Sequence, residues 1–272
     1  IRETVGDSAV SGTLSNADDS EQKTHKARYT HLVPMHSAKS SESTPFFLVA
    51  GMFGNVLHLR HLAQLIGSDR PFYGIQARGL YGDSTPHETF EEMAKDYITE
   101  LLTVQSCGPF ILGGFSGGGI TAFEIAKQLI AMGHEVADVI LLDTPLPFNE
   151  PLSSVDRMSI HWQRIKSKGA GYFTEWAKSR YQWEIQKFRK RFSEADEGKE
   201  AHDFQSERME MAFHEALARY DLTALDIHAT LFRPRLDVHF RLGRGRVTNA
   251  VRQVIYKDNG WPPYVDQLDV YE

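Results

Sequence analysis

The chain predicts one α/β domain, a mostly parallel sheet covered by helices on both faces. Between residues 45 and 142, short apolar runs alternate with segments of helical periodicity, the rhythm of repeated strand–helix–strand units. The runs are apolar without alternation, as strands buried on both faces are. At 272 residues and 41% hydrophobic composition, the chain can build one sizeable core.

Residues 1–28 are polar, rich in Ser, Asp and Thr, and read as a disordered linker or tail; the folded domain is expected over 29–272. The chain begins at Ile1, not Met, as a processed product or an excised piece does. His31–His36 is a short strand, and Pro45–Ala50 is a buried one. Gly51-Met52-Phe53-Gly54 turns the chain into a helix over Leu57–Ile66. Pro71–Gln76 is the next strand. The helix Thr89–Gln105, begun near Thr85-Pro86 or at Thr89, carries Met93, Tyr97, Ile98, Leu101 and Leu102 on its inner side. Pro109–Leu112 is a strand and Ile120–Met132 a helix, stopped by Gly133 where a left-handed residue is wanted. Val136–Leu142 is a strand closing at Asp143. From Pro145 to about Tyr220 only helical segments occur, around 157–166, 172–191 and 207–220. They predict a helical lid inserted over about 147–222. Strand character returns at Ile227–Arg233 and Gln267–Tyr271.

A net charge of −6 and a pI of about 6.1 give no reason to expect nucleic acid or an anionic membrane. No apolar run approaches the roughly 20 residues that span a bilayer. A single cysteine, Cys107, rules out an internal disulfide framework and fits a reducing, cytoplasmic setting. Its place near the start of a strand predicts a buried structural thiol.

The chemistry concentrates in Gly114-Phe115-Ser116-Gly117-Gly118, at a strand-to-helix joint. Such a turn leaves no room for flanking side chains and lifts the serine hydroxyl clear of the sheet, which is how an α/β-hydrolase presents its nucleophile. The helix behind it offers unpaired N–H groups to a developing negative charge. A serine needs a histidine to take its proton, and that histidine needs a carboxylate to orient it. Asp143, at the tip of the strand after the nucleophile helix, is the candidate acid. Two backbone donors must face the oxyanion. Gly117 is one, and Met52 is the other, with Phe53 as the alternative. No metal is expected: His58 and His61 lack a third ligand and read as a half-exposed helix face.

With these pieces in place, residues 29–272 resemble the thioesterase domain that ends modular polyketide and non-ribosomal peptide synthases. The resemblance rests on Phe46-Phe-Leu-Val-Ala-Gly-Met-Phe-Gly54, Pro71-Phe-Tyr-Gly-Ile-Gln76, Gly113-Gly-Phe-Ser-Gly-Gly-Gly119, Val139-Ile-Leu-Leu-Asp143 and Gly260-Trp261. It implies an acyl-serine enzyme acting on a chain delivered by an acyl or peptidyl carrier protein. The chain would arrive as a phosphopantetheine thioester and leave by hydrolysis or cyclisation, with no cofactor bound directly. It also implies a catalytic histidine in a Gly-x-His loop after the last strand, and the sequence reaches Glu272 before one. Of the twelve histidines, His239 is the nearest substitute by sequence, but it lies in a polar, arginine-rich connection. The base is therefore expected beyond Glu272. A stand-alone editing thioesterase, a carboxylesterase or a catalytically silent fragment that binds a carrier are the other readings. The lid aromatics Trp162, Tyr172, Phe173, Trp176, Tyr181 and Trp183 pack helix on helix or line an acyl channel. The run Lys187–Arg191 is a solvated face or a carrier-docking patch.

Overall fold

The computed structural model describes residues 29–37, 43–67, 69–82, 84–147, 150–168 and 201–272. The anticipated helix 172–191, its aromatics and Lys187–Arg191 lie outside these residues. So does the tail 1–28.

Among the described residues, a seven-stranded sheet runs in the order β1-β3-β2-β4-β5-β6-β10. Its members are β1 (Leu32–His36), β2 (Phe46–Val49), β3 (Phe72–Ile75), β4 (Phe110–Phe115), β5 (Val136–Leu142), β6 (Leu225–Phe232) and β10 (Val265–Tyr271). Only β1 is antiparallel to its neighbour. The helices are α1 (Arg60–Ile66), α2 (Phe90–Val104), α3 (Gly118–Ala131), α4 (Ser154–Lys168) and α5 (Ala201–Arg219). This is the α/β-hydrolase architecture that the strand–helix rhythm predicts.

The two-sided burial of the strands explains their unbroken apolar runs. All four residues of β2 are buried, and they divide between two cores. Phe47 joins Leu112, Leu141, Ala229 and Leu231 beneath α2 and α3, while Phe46 and Leu48 pack with Val56, Leu59 and Ala63 on the other face. Helix α2 starts where Thr89 accepts a hydrogen bond from the Glu92 amide at 3.2 Å, and α3 is followed by Gly133 at φ 87°.

Two features differ from expectation. Cys107 is exposed, not buried. It precedes Gly108-Pro109 in the turn before β4, so the thiol falls outside the apolar run. The arginine-rich stretch after β6 forms a second, three-stranded sheet of β7 (Phe240–Arg241), β8 (Val247–Thr248) and β9 (Val254–Ile255). Strands of two residues carry no readable alternation. This small sheet packs on α4 through Phe240, Leu242 and Ile160. Arg246 holds it there, its Nη2 donating to both carboxylate oxygens of Asp156, at 2.8 and 2.9 Å.

Candidate active site

Parallel register brings the carboxyl ends of the central strands to one rim. Val49 pairs with Gly114, Phe115 with Leu142, and Leu142 with Phe232. The residues that follow these positions, from Ala50, Ser116 and Asp143 to Arg233, therefore line the same edge. Ser116 and Asp143 end adjacent strands. The Ser116 amide still donates to the Leu142 carbonyl at 2.8 Å, and the Asp143 amide to the Phe232 carbonyl at 2.7 Å. Each turning residue is thus tied to its neighbouring strand by one hydrogen bond beyond the strand's end.

Both residues adopt left-handed backbone conformations, Ser116 at φ 51° and Asp143 at φ 49°. For a residue with a Cβ this costs about 1–3 kcal/mol, so the surrounding structure must impose it. The glycines around Ser116 show how. A Cβ on Gly114 would strike the backbone of Gly118 and Gly119, and one on Gly118 would strike the Ala50 carbonyl oxygen. The first turn of α3 therefore sits directly on the end of β2 and beside the loop Gly51-Met52-Phe53-Gly54. That loop is a tight turn in which the Gly54 amide donates to the Gly51 carbonyl at 2.7 Å. Ser116, Gly117 and Met52 are half-buried; Asp143 and Phe53 are exposed. The four predicted site residues thus share one rim: serine and acid on neighbouring strand tips, the two candidate amide donors on the abutting turns.

Two supports were not legible as site residues. Trp261, fully buried against Phe123, donates its indole N–H to the Thr144 carbonyl at 2.8 Å. Next to it, the Leu146 amide donates to the Asn259 carbonyl at 2.9 Å. The Gly260-Trp261 motif thereby fixes the turn that carries Asp143. From above, Met209 and Phe213 of α5 cover the nucleophile turn: a Cβ on Gly117 would meet the Phe213 ring, and one on Gly54 would approach the Met209 methyl at 3.3 Å.

Behind the Gly51–Gly54 loop lies a cavity of about 30 Å³, the space of one water molecule, bordered by His87, Tyr97 and Phe213. His87 is buried and shares a 2.9 Å hydrogen bond with Asp96, which also accepts from Arg78 at 3.2 Å. Burial pushes the His87 imidazole below its ordinary range, against the opposing pull of Asp96; the hydrogen bond to His87 in turn holds the Asp96 carboxyl low. His31, His87 and Asp96 are the one group among the described residues that brings three metal-ligating atoms within 4.8 Å of one another. The Arg78 guanidinium already occupies the cation position on that carboxylate, so the cluster is a poor fit for a resident ion.

Neither Ser116 nor Asp143 has a histidine partner among the described residues. His239 is exposed and faces Asp237 at 3.3 Å, and His228 bridges Asp138 and Asp269 on a sheet face, at 3.1 Å to each. His58 and His61 are exposed on the first helical turns, as expected. Strand β10 runs parallel to β6, so its carboxyl end opens onto the rim that holds Asp143.

With this geometry established, the similarity to known proteins has a clear place. Residues 44–157, from β2 into α4, match the family model of the thioesterase domain. The chain is 38% identical over 128 residues to the polyketide synthase PksR of Bacillus subtilis, covering 47% of this chain and 5% of PksR. It is 32% identical over 147 residues to the atromentin synthetase greA of Suillus grevillei, covering 54% of this chain and 14% of that protein. The chain thus spans only a small part of the length of these relatives. Its fold is that of the NocB thioesterase domain from the nocardicin cluster, with a TM-score of 0.56, 21% identity, and 89% and 87% of the two chains covered. It is also shared with a four-domain non-ribosomal peptide synthetase bound to AMP and glycine. There the TM-score is 0.58 at 24% identity, covering 89% of this chain and 18% of the synthetase. Thioesterase domains of polyketide and non-ribosomal peptide synthases are therefore what this chain resembles. No helix among the described residues is long and apolar enough to cross a membrane.

Proposed function

We propose that this thioesterase-family domain releases an acyl or peptidyl chain from the phosphopantetheine thioester of a carrier protein through an acyl-Ser116 intermediate. The observation that carries the reading is the pair of left-handed residues on adjacent strand tips, Ser116 beside Asp143. The Ser116 oxygen forms a bond to the thioester carbonyl carbon as its proton passes to a base. The amides of Gly117 and Met52 receive the oxyanion, the carbon–sulfur bond breaks, and the thiolate leaves. Water, or a nucleophile within the chain itself, then takes the acyl group from serine. Asp143 orients the base, a histidine arriving from the carboxyl end of β10.

A fluorophosphonate probe tests the nucleophile. Covalent labelling of one residue, lost on Ser116→Ala, is expected. Labelling that survives the substitution, or no labelling of a chain that includes the histidine loop, would overturn it. The absence of a histidine beside Asp143 among the described residues favours a second reading for this chain: a domain that binds a carrier without turning it over. Slow labelling with no release of thiol from an acyl-loaded carrier would establish that reading.

A further inference from the structure

A cavity of about 680 Å³ opens beside Asp143, between the chain leaving β5, helix α4 and the small three-stranded sheet. Its wall has an unusual charge balance. Arg157 from α4, Arg233 from the end of β6 and Arg252 from the turn before β9 line it, against the carboxylates of Asp143 and Glu150 alone. Glu150 is already engaged by Arg246 at 3.3 Å.

Among the described residues, the three guanidinium groups have no acidic partner. Arg233 is held by backbone carbonyls, donating from Nη1 to Tyr256 at 2.8 Å and Lys257 at 3.0 Å. These contacts fix its position without neutralising it. Arg157 and Arg252 are exposed, and neither side chain has an ion pair or hydrogen bond among the described residues. Donors from three separate places thus converge on one space whose charged acceptors are Asp143 and Glu150. Guanidinium forks match the oxygens of carboxylates and phosphates.

We propose that this cavity is a subsite for an anionic group, carboxylate or phosphate, borne by the molecule whose carbonyl meets Ser116. The inference rests on reading Ser116 and Asp143 as the reacting centre, and it narrows that centre's substrates. The anion has two possible sources: the end of the acyl chain, or the phosphodiester of the phosphopantetheine arm.

Calorimetric binding of non-hydrolysable thioethers separates these sources and needs no turnover. The probes are S-octyl pantetheine, its phosphopantetheine counterpart, and an S-alkyl pantetheine ending in a carboxylate. One anionic probe should bind about tenfold more tightly than the neutral probe, as a charge-assisted contact predicts, and the advantage should shrink with added salt. The Arg157→Gln/Arg252→Gln double variant should lose that advantage and keep the affinity for the neutral probe. Both residues are exposed and unpaired, so its thermal midpoint should match the parent's. A gain for the phosphate probe assigns the anion to the carrier arm, and a gain for the carboxylate probe assigns it to the acyl chain. Equal affinity for all three probes, or an anion preference that survives the double substitution, overturns the proposal. Fluorophosphonate labelling of Ser116 is independent of these arginines, so a failed subsite and a failed nucleophile give different results.

Discussion

Replacing Gly117 with alanine isolates the contact that roofs the nucleophile. Gly117 sits at φ −55° and ψ −25°, a right-handed conformation open to any residue. The backbone therefore raises no objection, and the loss of unfolded-state freedom alone would stabilise by about 0.4–1 kcal/mol. The obstacle is Phe213. The added methyl would lie 2.9 and 3.1 Å from its two Cε atoms and closer still to Cζ. That ring is 8% exposed and packs edge-on against Phe90 at 5.3 Å, so it has little room to retreat. Overpacking of this kind costs about 1–3 kcal/mol, leaving a net loss of up to about 2.6 kcal/mol. Leucine lacks all three offending ring atoms. Phe213→Leu alone should cost roughly 1–2 kcal/mol through the space it vacates. Gly117→Ala/Phe213→Leu should cost less than the two changes summed, with a coupling of about 1–2 kcal/mol, because the methyl fills part of that space. Urea unfolding of the four proteins measures the cycle. Strict additivity, within about 0.5 kcal/mol, would refute the placement of α5 over the nucleophile turn. Gly118→Ala supplies the contrast. Its methyl would strike the Ala50 and Val49 carbonyls, which are backbone, so no side-chain truncation should rescue it.

The remaining predictions probe the supports around the site. Trp261→Phe keeps the ring but leaves the Thr144 carbonyl without its 2.8 Å donor. It should destabilise by about 1–3 kcal/mol in denaturant titration, and an unchanged midpoint would show that the bond does not hold the Asp143 turn. Burial makes the His87 imidazole, near His31, Arg78 and Asp96, harder to protonate in the folded protein than in the unfolded chain, which gains the proton below about pH 6.5. Stability should therefore be flat above about pH 6.5 and fall as the pH drops below it; Asp96, whose carboxyl is held low, adds its own loss only in stronger acid. His87→Gln should flatten the first decline, and an unaltered slope between pH 5 and 7 would assign it to another group. Ser116→Gly should raise stability by about 1 kcal/mol by relieving the φ of 51° while abolishing fluorophosphonate labelling; a destabilised variant would mean the turn is not strained.

Much of the fold was legible because its signals are long and redundant. The unbroken apolar runs of β2 and β4 read as buried strands, and Thr89 and Gly133 stood at helix ends for reasons of local chemistry. Ser116 and Asp143 were legible for a related reason: a residue at the tip of a parallel strand has its place fixed by the sheet. What escaped notice depends on contacts far apart in sequence. Nothing near Trp261 reveals that its indole holds the Thr144 carbonyl. Nothing in the arginine-rich connection shows that it folds into a sheet pinned by Arg246 to Asp156. Cys107 was misplaced because its closeness to the start of a strand weighs little against the turn residues Gly108 and Pro109 beside it.

The strain at Ser116 and Asp143 also indicates what sets the distance between them. In a site built from loops, two such residues would separate or approach as the loops move. Here the amide of each is bonded to the neighbouring strand, Ser116 to Leu142 and Asp143 to Phe232. Their backbone separation is therefore governed by the strand spacing of roughly 4.8 Å, which is a property of the sheet. The left-handed conformation at each turns the chain abruptly, so the side chain leaves the rim in place of continuing the pleat. Glycine could make either bend more cheaply but would supply no functional group. On the mechanism proposed above, one imidazole at this rim would reach both the hydroxyl at one tip and the carboxylate at the next.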